Sequence, residues 1–221
     1  MKTAIVCGST GLVGQLLLYK LLESPLYEKV ISVVRRPSLI KHHKLSEIII
    51  DFDQLSDKMV GLIAQDAFCC LGTTLKKAGS KEIQEKIDRQ YVSDFAKACI
   101  KNGVSSIAIV SSIGANENSS NFYLRTKGKM EKDVSNLPFK NISFLRPSFI
   151  LGDRSEFRLG ERIGVFFAKI IDFVLIGKLR IYRGINASLI AKGMIGALNS
   201  DINGVNIYHY DDIVRLQKNI S

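Results

Sequence analysis

The chain has 221 residues, which suits one α/β domain with a core of its own. Hydrophobic residues make up 46% of it, an ordinary fraction for a globular protein that excludes a disordered chain. The formal net charge of +10 indicates an anionic partner, which is nucleic acid, an acidic lipid surface or a phosphorylated cofactor. Because the basic residues are scattered, without an arginine-rich arm, we expect no nucleic-acid function.

The apolar runs of the sequence predict both the cellular location of the protein and the redox state of its cysteines. None reaches the ~18 residues of a membrane span, and Met1 leads straight into a predicted strand, so we expect a cytoplasmic protein. The four cysteines lie in apolar runs without metal-ligand spacing, which indicates reduced core thiols and no metal site. A disulfide between Cys69 and Cys70 is the alternative, at the cost of a strained strand.

The first predicted unit is a strand at residues 4–6, a glycine-rich turn and a helix. Gly8 permits a tight turn, Gly11 lets a pyrophosphate approach the backbone, and Gly14 lets helix and strand pack closely. The N–H groups that open the helix would face the phosphates. An ordinary strand–helix turn is the alternative, but the flanking periodicities favour a dinucleotide site. The predicted phosphate loop comprises Gly8, Ser9, Thr10, Gly11, Leu12, Val13 and Gly14.

The second predicted strand, residues 30–34, ends at Arg35 and Arg36. An acidic residue here would bind the adenine ribose hydroxyls and favour NAD. A guanidinium instead pairs with a 2′-phosphate, so we predict NADP(H). A solvated surface pair is the alternative.

Two further strands are predicted at residues 48–50 and 67–71, and the second is apolar throughout, as in a central parallel strand. The chain that follows each strand end can pass close to the adenine or to the ribose and pyrophosphate. The cofactor residues predicted there are Asp51, Phe52, Leu71, Gly72 and Thr73.

A continuous helix is predicted over residues 81–101, with an apolar stripe that includes Ile83 and Phe95. Strands follow at 106–110 and 142–146. This alternation predicts an α/β fold, a doubly wound parallel sheet of the Rossmann type, as a single domain over residues 1–221. Ligands of such sheets bind beyond the carboxyl ends of the strands.

Tyr123 and Lys127 are four residues apart on a predicted helix, so they share one face. The Lys127 ammonium would stabilise a phenolate on Tyr123 and could also bind the cofactor ribose. Ser112, at the preceding strand end, could hold the substrate oxygen while Tyr123 transfers a proton to it. The Tyr-x-x-x-Lys pattern is weak alone, and an exposed helix pair is the alternative, but its position after a strand end favours catalysis.

The sequence resembles the atypical or extended short-chain dehydrogenase/reductases, and more narrowly the Tat-interacting-protein-like oxidoreductases. The resemblance covers about residues 3–167 and rests on the glycine motif, the strand end Ser111-Ser112-Ile-Gly-Ala115, Tyr123-x-x-x-Lys127 and five other segments. Those are Cys70-Leu-Gly-Thr-Thr74, Lys77-Ala-Gly79, Asp88-Arg-Gln-Tyr-Val92, Ser119-Ser-Asn-Phe122 and Arg146-Pro-Ser148. It implies NADPH binding and a catalytic set of Ser112, Tyr123 and Lys127. It also implies that Ser111 can share the serine role and that Pro147, Ser148 and Ile150 lie near the nicotinamide.

The last third is predicted to be a small helical segment on the substrate side, with residues 152–200 supplying a flap and helices. The apolar stretch 163–176 could cover the pocket, form a dimer face or contact a membrane or protein partner. Helix 187–198, strand 205–208 and a short amphipathic tail complete the chain, as a monomer or homodimer.

The sequence therefore predicts an NADP(H)-dependent oxidoreductase acting on an unknown small carbonyl or alcohol. A non-catalytic NADPH-binding regulatory or interaction module is the alternative. A sugar-nucleotide epimerase is a third reading, and it requires a larger C-terminal substrate domain than the residues after Pro147 provide.

Overall fold

A seven-stranded parallel sheet forms the centre of the protein, for which a computed structural model describes residues 1–152 and 175–219. Its strand order is β3-β2-β1-β4-β5-β6-β9, and a separate pair is formed by β7 and β8. The strands of the described residues are β1 (Lys2–Cys7), β2 (Tyr27–Val34), β3 (Leu45–Ile49), β4 (Asp66–Cys69), β5 (Ser106–Val110), β6 (Asn141–Leu145), β7 (Ile150–Leu151), β8 (Ile185–Asn186) and β9 (Gly204–Tyr208). The predicted doubly wound fold is confirmed.

Both faces of the sheet are covered by helices, as apolar strands require. The α-helices of the described residues are α1 (Leu12–Glu23), α2 (Leu55–Lys58), α3 (Leu75–Ala78), α4 (Lys81–Glu85), α5 (Tyr91–Lys101), α6 (Phe122–Ser135), α7 (Ala187–Leu198) and α8 (Tyr210–Leu216). Alternate residues of β1 enter two separate cores: Ile5 packs with α2, α5 and α6, and Val6 packs with α1, α7 and α8. The site therefore rests on a sheet held from both sides.

The region predicted as one helix over residues 81–101 has a different structure. A π-helical turn at Lys86–Gln90 separates α4 from α5, and Ile83 of the predicted apolar stripe is 49% exposed. A π-turn widens the helix by one residue and re-aims its side chains, and such turns are frequent at functional sites. Here the turn buries Asp88, a charged residue, beside the sheet edge. Helical periodicity in the sequence did not reveal it, because the period is preserved on either side.

The C-terminal part supplies α7 against the α1 face and β9 at the edge of the sheet. The predicted tail forms α8, which also packs on that face. Among the described residues, no helix combines the length and apolar character that a membrane crossing needs. Most of the predicted apolar stretch 163–176 and of the flap lies at residues 153–174, outside the described residues.

Candidate cofactor and catalytic site

The carboxyl ends of the strands meet where the strand order reverses, between β1 and β4. Gly8 follows β1 with a φ of 84°, a left-handed conformation that favours glycine. A Cβ on Gly8 would lie 2.7 Å from the carbonyl carbon of Cys70, just beyond β4. Both the backbone conformation and the contact therefore require glycine at this turn.

The other two glycines of the motif have different roles. A Cβ on Gly14 would lie 2.0 Å from the Gly8 carbonyl oxygen, so Gly14 allows α1 to pack on the turn. At Gly11 the nearest atom to such a Cβ is the same oxygen at 3.5 Å, which leaves the approach to the backbone open. No side chain of the described residues caps the N-terminus of α1. An open glycine cradle at an uncapped helix start fits a pyrophosphate.

The remaining residues of the glycine loop either hold the loop against the core or lie at the protein surface. The Ser9 hydroxyl is buried and lies 2.7 Å from that of Ser32 on β2, which ties the loop to the second strand. Val13 is buried in the core, so its backbone alone could face a ligand. Thr10 is exposed and Leu12 is half-buried beside Gly152.

Arg35 and Arg36 are exposed at the end of β2, as a phosphate ligand would require. The Arg35 guanidinium lies over the Phe52 ring, 5.7 Å from its centroid. Phe52 is itself buried and packs edge-on against Tyr91, so it positions Arg35 from within the core. Asp51 is exposed, and its carboxylate accepts a hydrogen bond from the Asp53 amide.

Lys127 is held at the sheet edge by a residue that the sequence analysis did not assign. Its ammonium lies 2.9 Å from Asp88 Oδ1, and the two side chains are 2% and 1% exposed. The other carboxylate oxygen of Asp88 accepts a hydrogen bond from the Thr73 amide at 3.2 Å. A Cβ on Gly72 would lie 3.3 Å from Asp88 and 3.8 Å from Lys127 Nζ. The loop after β4 therefore packs directly on this buried ion pair.

The ion pair decides the charge of Lys127. Burial by itself lowers the pKa of a lysine, but the charge and hydrogen bond of Asp88 oppose it, and the pKa of Lys127 is raised. Lys127 is therefore an ammonium at neutral pH. Tyr123 and Lys127 lie four residues apart on α6, so the predicted pair shares one face of that helix.

The two serines after β5 have different surroundings. Ser111 is buried, and its hydroxyl donates a hydrogen bond to Glu131 of α6. Glu131 also accepts hydrogen bonds from the Arg146 guanidinium beyond β6, so Ser111 belongs to a network that joins α6 to the sheet. Ser112 is half-buried, with a long hydrogen bond of 3.3 Å to the Ile113 carbonyl. A substrate oxygen could replace that bond.

The residues after β6 hold the neighbouring loops. The Pro147 carbonyl accepts a hydrogen bond from the Ile113 amide, next to Ser112. The Ser148 hydroxyl lies within hydrogen-bond distance of the Tyr182 and Arg183 carbonyls, so it anchors the segment that leads to β8. Ile150 lies in β7, and Leu71 packs against the α5 side of the core.

Three residues that support the site were not identified from the sequence. The sequence analysis assigned no role to Asp88 or Glu131, although Asp88 lies in one of the segments that carry the family resemblance. Gly128, next to Lys127, is the third: a Cβ there would lie 2.2 Å from the backbone of Asn116 and Glu117. It lets the loop after Ser112 pack on α6. A glycine inside a helix, next to the lysine predicted to be catalytic, was the available signal.

A cavity of about 440 Å³ opens beside Tyr123. It lies between the loop after β4, the start of α4 and the start of α6. Its lining residues are Thr73, Thr74, Leu75, Lys81, Gln84, Asn121, Phe122 and Tyr123. The volume is in the range of small-molecule sites.

A glycine cradle at the switch point of a parallel sheet, with a buried ammonium at the same edge, defines a dinucleotide-binding protein of the Rossmann type. A family model described as NAD(P)H-binding matches residues 8–161, so the chain belongs to the NAD(P)H-binding family. The chain is similar to a Candida glabrata protein named FMP52, mitochondrial, at 40% identity over 72% of this chain and 68% of that one. It is also 34% identical to the Rattus norvegicus protein HTATIP2, over 77% and 72% of the two chains.

Solved structures show the same fold at low sequence identity. The Bordetella bronchiseptica enzyme WbmH, in complex with NAD+, is 14% identical, with a TM-score of 0.71 over 95% of this chain and 75% of that one. The relatives correct one prediction. The Candida glabrata protein and a Candida albicans protein 31% identical over 99% of this chain are both named mitochondrial. The predicted cytoplasmic location is therefore wrong.

Proposed function

We propose that the protein is an NADP(H)-dependent oxidoreductase that interconverts a carbonyl and an alcohol. The observation that carries the proposal is the buried Lys127 ammonium, which lies one helical turn from Tyr123 on α6 of an NAD(P)H-binding fold. An ammonium excluded from water acts strongly on a phenol beside it. Lys127 is 2% exposed, and a buried charged residue at the carboxyl edge of a parallel sheet marks a candidate functional site.

The side chains divide the chemistry between them. Tyr123 donates a proton to the substrate carbonyl oxygen during reduction and removes it during oxidation. Ser112 donates a hydrogen bond to the same oxygen, and Lys127 stabilises the tyrosinate that proton transfer leaves behind. The bound dinucleotide supplies or accepts the hydride. The glycine cradle at Gly8 and Gly11 would hold its pyrophosphate.

The preference for NADP(H) rests on the end of β2. Arg35 and Arg36 are exposed there, and Phe52 supports the Arg35 guanidinium from below. A planar guanidinium suits a 2′-phosphate, which carries more negative charge than the ribose hydroxyl of NAD. We expect NADPH to bind more tightly than NADH, and Arg35→Ala combined with Arg36→Ala to reduce that preference to near unity. Isothermal titration with both dinucleotides measures it; tighter binding of NADH by the unmodified protein contradicts the assignment.

One observation favours a second function, in which the protein binds NADPH and signals without turnover. The Asp88 carboxylate lies 2.9 Å from Lys127 and neutralises much of its charge. The field of the ammonium at Tyr123 is weakened accordingly. A neutral pair would still hold a ribose hydroxyl through the Lys127 N–H groups. The chain would then be an NADPH-dependent interaction module.

Substitution of Tyr123 separates the two functions. For an oxidoreductase, Tyr123→Phe abolishes NADPH oxidation with a panel of aldehydes and ketones and leaves the Kd for NADPH unchanged. Tyr19→Phe, on the exposed side of α1, is the control and retains activity. Residual turnover in Tyr123→Phe equal to that of the unmodified protein would exclude the acid–base role. An unmodified protein that binds NADPH and turns over none of the panel would favour the interaction module.

Location is a separate part of the proposal. The yeast relatives named mitochondrial support a mitochondrial location for this chain as well. A tagged chain expressed in yeast should co-sediment with purified mitochondria, and recovery in the soluble fraction alone would contradict it.

A further inference from the structure

We propose that the cavity beside Tyr123 binds a carbonyl compound that also carries a carboxylate, with Lys81 as its counter-ion. The inference rests on the proposed reductase function and names its substrate class. It derives from the charge and hydrogen-bonding character of the cavity wall. The wall combines one cation with hydroxyl, amide and apolar groups.

Lys81 is the single charged residue among those that line the cavity. Its ammonium lies 5.6 Å from the centroid of the Phe122 ring, a cation–π contact that directs it toward the start of α6. Among the described residues no carboxylate lies within ion-pair distance of the Lys81 ammonium. Lys81 and its neighbour Glu82 are both exposed, and the charge of Lys81 is only the last of the causes that lower the pKa of Glu82. The charge is thus available to a ligand that enters the cavity.

The second cation on the same ring is already engaged. The Arg125 guanidinium lies 5.9 Å from the Phe122 centroid, but it donates hydrogen bonds to the Ser119 and Ser120 carbonyls at 2.6 and 3.0 Å. Arg125 therefore fixes the loop, and Lys81 remains as the one cation for the ligand. A single ammonium matches the single charge of a carboxylate better than the nearly double charge of a phosphate monoester.

The positions of Lys81 and Tyr123 allow one ligand to contact both the ammonium and the proposed proton donor. Phe122 contacts Lys81, and the next residue is Tyr123, so a ligand lying along the start of α6 can meet both. The amide of Asn121 and the hydroxyl of Thr73 add polar groups, while Leu75 and Phe122 provide apolar surface for a short carbon chain. The volume of about 440 Å³ accommodates a small oxo-acid.

Matched acids and esters test the inference. NADPH oxidation is measured with levulinate and succinate semialdehyde, and with the methyl ester of each. We expect kcat/KM to be about tenfold higher for the acids, chiefly through KM, because a charge-assisted contact is worth that factor. Lys81→Met should remove the difference and Lys81→Arg should keep it. Lys101→Met, which removes an exposed charge at the far end of α5, is the control and should also keep it.

Each result has one reading. Esters that are used as well as acids, or a preference for acids that survives in Lys81→Met, overturn the inference and leave the reductase function intact. If neither these compounds nor any member of the panel of aldehydes and ketones is turned over, the reductase function fails instead. Binding to the NADPH-loaded protein is then followed by saturation-transfer NMR. Levulinate binding that Lys81→Met weakens supports the carboxylate site, and unchanged or undetectable binding overturns it.

Discussion

The geometry of the buried pair formed by Asp88 and Lys127 predicts how substitution of either residue changes the stability of the protein. At 2.9 Å the two charges attract each other by about 6 kcal/mol for an effective dielectric constant of about 20. Desolvation of both groups offsets most of this attraction, so the intact pair adds little net stability. Removal of one partner is different, because it leaves the other charge buried without compensation. We expect Asp88→Asn and Lys127→Met each to lower the free energy of unfolding by about 3–5 kcal/mol.

The double variant tests the reasoning. With both charges absent the penalty of the orphaned charge is absent too, so the double variant should be more stable than either single variant. The expected coupling energy is at least about 2 kcal/mol. Urea unfolding of the NADPH-free protein measures all four free energies. If the loss in the double variant equals the sum of the two single losses within about 0.5 kcal/mol, the pair is not a coupled unit and the account is refuted.

Three further predictions concern the glycine loop, the serines and the amino edge of the sheet. Gly14→Ala should lower stability by about 1–2 kcal/mol, because the overlap of the new Cβ with the turn costs more than the gain in helix propensity. Gly11→Ala should instead weaken NADPH binding in titrations and leave the unfolding midpoint unchanged. Ser112→Ala should lower turnover about a hundredfold at constant stability. Ser111→Ala should lower stability by about 1 kcal/mol at nearly constant turnover. The reverse pattern would mean that Ser111 is the catalytic serine and Ser112 the structural one. Burial, then the charge and hydrogen bond of a neighbouring aspartate, raise the pKa of the Tyr27 hydroxyl well above its ordinary value of about 10. The unfolded chain therefore ionises first, so stability should begin to fall as pH approaches about 10 and should keep falling above it. Tyr27→Phe should reduce this loss of stability at alkaline pH. If the free energy of unfolding, measured with urea, falls with pH as steeply in the variant as in the unmodified protein, Tyr27 is not the cause.

The opposite effects expected at Gly11 and Gly14 reflect what each glycine contacts. Gly14 faces backbone, and a Cβ there would lie 2.0 Å from the Gly8 oxygen. Gly11 has ordinary allowed dihedral angles (φ −82°, ψ 169°) and open space above it. The motif therefore combines one glycine needed for folding with one needed for a ligand. Their substitution by alanine distinguishes a cofactor loop from a simple structural turn.

Local patterns in the sequence determined the doubly wound fold, the sheet edge at which ligands are expected to bind and the shared face of Tyr123 and Lys127. They could do so because strand alternation, helical period and glycine spacing are properties of neighbouring residues. Tertiary structure alone decided that Asp88 pairs with Lys127, that Ser111 is tied to Glu131, and that Lys81 faces a cavity. Each of these contacts joins side chains far apart in the chain. They form only when the helices pack on the sheet, and the local periodicity of the sequence does not determine which side chains will pair.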